Sequence, residues 1–109
     1  YFGKSLDGFA PMGPCNVAAN VIAFPPALDI SSTVNGELRQ NSNTDHLLHS
    51  VAEIISELSQ GMTLRAGTII ATGTPAGVGM GFTPPKFLKK GDVVTCEIKG
   101  IGKLTNTVE

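Results

Sequence analysis

From residue 28 the chain alternates between apolar and polar positions. "LDISSTV" (28–34) places Leu28, Ile30 and Val34 on one face together with Ser32, the period-2 pattern of a half-buried strand. Asn35-Gly36 and then "ELRQN" (37–41) follow. Asn-Gly suits a type I′ turn, whose two central residues both need positive φ, so these residues predict a β-hairpin. The period then changes. Leu47, Leu48, Val51, Ile54, Ile55 and Leu58 fall on one stripe at helical spacing. Within that run "SVAE" (50–53) has the form of a capping box, in which Ser50 accepts from the amide of residue 53 and Glu53 reaches back to the Ser50 amide. The pattern predicts a short helical segment at about 44–49 and a longer one at about 51–60, closed by Gly61 at C′.

Two similar phrases come next, "LRAGTII" (64–70) and "LKKGDVV" (88–94), each a glycine turn feeding β-branched residues. They predict strands at Thr68-Ile69-Ile70 and at "DVVTCEI" (92–98); the latter pairs through a Gly-rich turn with "KLTNTVE" (103–109), and Val94, Cys96 and Ile98 share one face. Residues 1–16 read as a loop, and "NVAANVIAF" (16–24) as a short strand or helical turn stopped by Pro25-Pro26. The fold class expected is β-rich, mixed α+β, with one helical connection at about 44–60. Thirteen glycines and seven prolines favour that over a helical bundle.

A length of 109 residues suits one domain, and 41% apolar content excludes a disordered chain. A formal net charge of −1 argues against nucleic acid or an anionic membrane as the main partner. No apolar run approaches the roughly 20 residues needed to span a bilayer. There is no initiator Met and no signal-peptide pattern, which suggests part of a longer protein. Cys15 and Cys96 lie far apart without a CxxC motif, as expected of reduced intracellular thiols, with a disulfide the lesser alternative.

"ATGTPAGVGMG" (71–81) is the stretch densest in glycine. Its glycines, at 73, 77, 79 and 81, fit neither G-x-G-x-x-G nor the P-loop pattern, and Pro75, Pro84 and Pro85 leave no helix to face a phosphate. Two readings remain: a surface connection, or a loop whose backbone lies against a small ligand with Thr72 or Thr74 supplying a hydroxyl. His46, His49 and Glu53 have spacing that metal ligands use, but they lie opposite the apolar stripe and read as a solvated face. Lys86, Lys89 and Lys90 are too few for a nucleic-acid patch. No Gly-x-Ser-x-Gly occurs, so serine hydrolysis has no support. Lys4, in "GKSLDGFAP" close to Asp7, reads either as a surface lysine or as a cation for an anionic substrate or a developing enolate.

Taken together, "GKSLDGFAPMGP" (3–14), "LDISSTVNGELRQNSNT" (28–44), "SVAEIISELSQGMTLRAGTIIATGTPAGVGMG" (50–81) and "PPKFLKKGDVVTCEIKGIGKLTNTV" (84–108) resemble the fumarylacetoacetate hydrolase family. The likeness is to its smaller members, the domain-containing proteins and the 5-carboxymethyl-2-hydroxymuconate isomerase-like enzymes, and is weak only at 15–27. It implies the C-terminal portion, residues 1–109, of a single catalytic domain built as a mixed β-sandwich roll. It also implies a small 2-oxo or 1,3-dicarbonyl acid as substrate, a homodimer, and Mg²⁺ or a similar ion (Mn²⁺, Ca²⁺). Reactions of the family include acylpyruvate hydrolysis, oxaloacetate decarboxylation and hydroxymuconate isomerisation, all of which need a developing enolate stabilised. By position Lys4 matches the family's active-site lysine. Thr74, with Gly73 beside it, matches the site for the substrate carboxylate, while Asp7 and Gly8 match its entrance.

The family's metal ligands, a Glu-x-Glu pair and a later Asp, precede the lysine motif and have no counterpart here, so the resemblance implies that they lie upstream. On that reading these residues alone bind metal poorly and are inactive. Two functions are open: part of a metal-dependent enzyme, or an inactive family fragment acting as a dimerisation module. The resemblance is compatible with cytoplasmic or mitochondrial residence.

Overall fold

The computed structural model describes residues 6–109. Its centre is a single antiparallel sheet of four strands, β1 (Asp29–Val34), β2 (Glu37–Asn43), β3 (Val93–Ile98) and β4 (Gly102–Thr107), in the order β2-β1-β3-β4. One α-helix, α1 (Val51–Gly61), follows β2 after a 3₁₀ turn at Thr44–His46. The expected β-rich α+β architecture is thus present, and the helical connection falls where the apolar period placed it.

The β1–β2 hairpin turns at Asn35 and Gly36, whose φ angles of 49° and 82° are both positive, as a type I′ turn requires. Asn35 also ties the turn to the next strand. Its Nδ2 donates to Asp92 Oδ1 at 2.9 Å, while Val93 N donates to its Oδ1 at 2.8 Å. The Asn35 bond, followed by the Lys89 amide that also donates to Asp92, holds the Asp92 carboxyl below its ordinary range. A residue chosen by turn geometry therefore also fixes where β3 starts.

Ile30 lies opposite Ile98, Ser32 opposite Cys96 and Val34 opposite Val94, so the alternation of both strands meets on one face. The other face carries Thr33, Thr95 and Thr105, with the last two hydroxyls 2.9 Å apart. β2 has a bulge: Ser32 pairs with Gln40 but Thr33 pairs with Leu38, which leaves Arg39 as the extra residue. The far end of β2 is latched by Thr44, whose hydroxyl accepts from Leu28 N at 2.9 Å and donates to the Pro26 carbonyl at 2.7 Å.

The capping box of α1 forms as read. Ser50 Oγ accepts from Glu53 N at 3.2 Å, and Glu53 Oε2 accepts from Ser50 N at 2.7 Å. Three details differ from the sequence reading. Gly61 is the last helical residue and Met62 the cap, because the Met62 amide still bonds to Leu58 O. The first helical segment shrinks to Thr44–His46, so Leu48 leaves the apolar stripe and is almost fully exposed. Thr68-Ile69-Ile70 forms no strand: Thr68 N is engaged by Arg65 O in a turn, and the sheet ends at β2 and β4. β-Branched residues favour an extended backbone, but a strand also needs a hydrogen-bonded neighbour.

No side chain among the described residues is fully buried. Packing consists of half-buried contacts, with Ile54 and Leu58 of α1 turned toward the segment that carries the glycine loop.

Candidate functional site

The glycine loop runs alongside β2. A Cβ on Gly77 would overlap the Arg39 carbonyl at the bulge, and one on Gly79 would overlap the Lys86 carbonyl. Two of the loop's glycines are thus required by backbone packed on backbone. Gly73 differs. Its φ is +102°, and the space a Cβ would enter is open to 4 Å.

Beyond the loop a short clasp holds the chain to β2. Lys86 Nζ pairs closely with Glu37 Oε1 at 2.6 Å and lies 4.9 Å from the centre of the Phe82 ring; Arg39 approaches the same ring at 5.2 Å and Glu37 at 3.4 Å. The Lys86 bond is the main cause holding the Glu37 carboxyl below its usual range. Lys86, which the sequence gives only as one of three loop lysines, therefore anchors the loop's exit.

Between loop, β2 and helix lies a cleft of about 350 Å³. One wall is Thr72, Gly73, Thr74 and Pro75; another is Ser42, Asn43, Thr44 and His46; Ile30, Leu47 and Ile54 make its apolar surface. A second hollow of about 640 Å³ continues along α1 past Glu53, Glu57 and Ile70, and shares His49, Ile54 and Thr72 with the first. The volume and the mix of a few polar groups on an apolar surface suit a small ligand.

Of the residues singled out in the sequence, Thr74 and Gly73 line this cleft side by side. Asp7 and Gly8 sit in an exposed turn closed by Phe9 N donating to Leu6 O at 3.1 Å, and neither is among the cleft residues. Lys4 lies outside the described residues. His46 and His49 both line the cleft while remaining exposed, and Ser42 Oγ lies 3.4 Å from His46 Nδ1. They form no ligand trio with Glu53, whose carboxylate is taken by Ser50. Among the described residues no three His, Cys, Asp or Glu side chains gather closely enough to hold a metal ion. The cleft offers hydroxyls and imidazoles, not the carboxylates a hard divalent cation prefers, so its residues do not fit such an ion by themselves.

Sequence reasoning missed Gln40. Its side chain reaches the Thr74 hydroxyl at 2.7 Å and the Pro75 carbonyl at 2.8 Å. The only hint in sequence is a long amide within a short strand, which gives no indication of a loop over thirty residues later.

Comparison with known proteins agrees with this architecture. A family model described as fumarylacetoacetate (FAA) hydrolase C-terminal matches residues 1–109. The oxaloacetate tautomerase YisK of Bacillus subtilis is 52% identical over 108 residues, 99% of this chain and 36% of that protein. The mitochondrial oxaloacetate tautomerase Fahd2a of Rattus norvegicus is 49% identical over 106 residues, 97% of this chain and 34% of that protein. Among solved structures, a fumarylacetoacetate hydrolase from psychrophilic Exiguobacterium antarcticum superimposes with a TM-score of 0.93 at 50% identity, covering 100% of this chain and 39% of that one. Maleylpyruvate hydrolase from Sphingobium sp. SYK-6, in complex with manganese(II) ion and pyruvate, does so with 0.85 at 38% identity, covering 98% and 38%. The chain thus spans about a third of the length of the curated relatives it matches. With the family model matched from end to end and the sheet and helix superimposing on a solved member, the chain belongs to the fumarylacetoacetate hydrolase family, as its C-terminal part.

Proposed function

We propose that this chain supplies one wall of an active site for a small 2-oxo acid, and that the reaction is enolisation next to the 2-oxo group, with oxaloacetate the first substrate to test. The observation that carries the reading is the wall formed by Thr72, Gly73 and Thr74. Two hydroxyls flank a stretch of backbone with no side chain in front of it, which suits a carboxylate held by short charge-assisted bonds. Similarity to two oxaloacetate tautomerases supports this choice over C–C hydrolysis, decarboxylation or hydroxymuconate isomerisation, which start from the same enolate chemistry.

In the proposed site Thr74 and the backbone at Gly73 orient the acid through its carboxylate. Lys4 provides a fixed cation for the oxygen on which negative charge develops. Asp7 and Gly8 remain proposed entrance residues on the family resemblance alone. A divalent ion, Mg²⁺ or Mn²⁺, is proposed on the condition that residues beyond those described here supply its carboxylates, and nothing in the roles given to Thr74 and Gly73 depends on it. A homodimer and residence in cytoplasm or mitochondria are part of the same proposal. No helix among the described residues is long and apolar enough to cross a membrane.

The test uses the full natural protein that carries these residues. Exchange between the keto and enol forms of oxaloacetate is followed optically with Mg²⁺ present, beside acylpyruvates and hydroxymuconates. Thr74→Val is expected to weaken substrate binding by about 1–3 kcal/mol through loss of one bond to a charged group, seen mainly in KM. Lys4→Met is expected to abolish turnover while the substrate still binds. Wild-type KM in the first variant removes Thr74 from the site, and wild-type kcat in the second removes Lys4. A full-length protein inactive on the whole panel favours the dimerisation-module reading instead.

A further inference from the structure

We propose that Gln40 is a positioning residue for the carboxylate site: by donating to the Thr74 hydroxyl it turns that hydroxyl's one proton into the cleft. The inference rests on the reading of Thr74 as the carboxylate contact.

Gln40 is half-buried on β2, and its amide bonds through both Nε2 protons and through Oε1. One Nε2 proton goes to Thr74 Oγ1 at 2.7 Å and the other to the Pro75 carbonyl at 2.8 Å, while Oε1 accepts from Ser32 Oγ at 3.0 Å. The amide cannot be turned over. Reversal would place its oxygen against the Pro75 carbonyl, which only accepts. Nε2 must therefore face the loop, and Thr74 Oγ1 must act as an acceptor in that bond. A threonine hydroxyl has a single proton, and it has to point away from a donor that occupies a lone pair. Among the described residues no acceptor takes that proton. The result is an oriented donor at the wall of the cleft, where a freely turning hydroxyl would have to be ordered by the ligand.

The sheet explains how Gln40 arrives there. With strict alternation from the Val34–Glu37 pair, residue 39 would lie opposite Ser32 and share its face. The bulge inserts Arg39 and brings Gln40 to that position. The same bulge exposes the Arg39 carbonyl on which Gly77 packs, with the Gln40 Cγ 3.0 Å from where a Gly77 Cβ would stand. One irregularity thus sets both the side chain that reaches the loop and the height at which the loop lies.

The test is a double-mutant cycle in the full natural protein, with KM for oxaloacetate and the affinity for pyruvate by calorimetry as readouts. Gln40→Glu replaces the donor with an acceptor, so Thr74 should donate back to it and both values should weaken roughly tenfold to a hundredfold, with kcat much less affected. Gln40→Met removes the donor at similar size and should give a smaller loss of the same kind. In a Thr74→Val background neither change should weaken binding further. A folded Gln40→Met protein with wild-type KM and pyruvate affinity overturns the inference, and this variant decides the matter if Gln40→Glu does not fold. Equal losses in the Thr74 and Val backgrounds also overturn it, because they mark general damage to the sheet. If Thr74→Val itself binds normally, the carboxylate reading fails and takes this inference with it. Impaired Thr74→Val with unimpaired Gln40 variants defeats the inference alone.

Discussion

Gly73 and Gly77 stand in one loop and are glycine for different reasons. At Gly77, φ is +105° and the Arg39 carbonyl occupies the place of a side chain, so Gly77→Ala meets both backbone strain and a collision with another backbone. We expect that change to destabilise the folded protein by about 2 kcal/mol or more, measured by denaturant unfolding, because neither chain can yield without opening the bulge. Gly73→Ala has only the strain, about 1 kcal/mol for a side chain in the left-handed region. Its methyl would enter the cleft beside Thr74, so its larger effect should be on substrate KM. If the two variants exchange these phenotypes, the division between packing glycine and site glycine is wrong. In the sequence these glycines are one cluster, legible as a loop and as excluding a nucleotide cradle. A partner such as the Arg39 carbonyl is not legible, since it depends on a bulge in a strand far upstream and on how the loop returns to it. Thr74 is legible from the loop only as one of two hydroxyls, and family resemblance chooses it; Gln40 is not legible, because one long polar side chain in a strand has many uses.

Elements fixed by neighbours in sequence were the ones read closest to the structure. The Asn35-Gly36 turn sets its own dihedral angles, and the Ser50–Glu53 cap closes within a single turn of helix. Thr68–Ile70 needed a distant neighbour to become a strand, so its composition misled. Leu48 continued the apolar period but precedes the cap, where the helix has not begun. The cap also makes a pH prediction. Hydrogen bonds from Ser50, the backbone amide first and then the hydroxyl, lower the Glu53 pKa in the folded chain. A depressed folded pKa means that this stabilisation is complete above the ordinary glutamate range and is lost as pH falls through the lower, folded value. Ser50→Ala should cost about 1 kcal/mol of stability at neutral pH. Alanine keeps the residue-50 amide, so the difference between wild type and variant, followed by thermal melting, should shrink in part as acid protonates Glu53, by the share due to the Ser50 hydroxyl's bond to the carboxylate. A difference that stays constant into acid would show that the Ser50 hydroxyl's bond to the Glu53 carboxylate adds nothing to the cap.

At the scale of the whole chain, both edges of the sheet have some cover. The glycine loop lies on the bulge of β2, and Gly13 and Pro14 approach Leu104 and Gly102 of β4 closely. The connecting segments are less protected: Phe9, Met12, Phe24, Ile69, Met80 and Phe87 are each more than half exposed, and no apolar side chain among the described residues is fully buried. In a chain that spans about a third of its relatives' length, these are side chains for the rest of the natural protein or a second copy to cover. Single apolar residues at a surface are ordinary; six large ones around a sheet with no buried core beneath it are not. Burial stabilises by roughly 25 cal/mol for each Å² of apolar surface removed from water, so even partial cover outweighs many polar contacts of the size seen here. We therefore expect the 109-residue polypeptide, expressed by itself, to bind a hydrophobic dye and to sediment above its 11.3 kDa monomer mass. The full natural protein should bind little dye and sediment as a dimer. Replacing Phe24 and Phe87 with serine should reduce dye binding by the short polypeptide, since each contributes exposed ring surface and no hydrogen bond. A dye-silent monomer at 11.3 kDa would mean that the apolar side chains find cover within these residues, and the proposed homodimer would then lose this support.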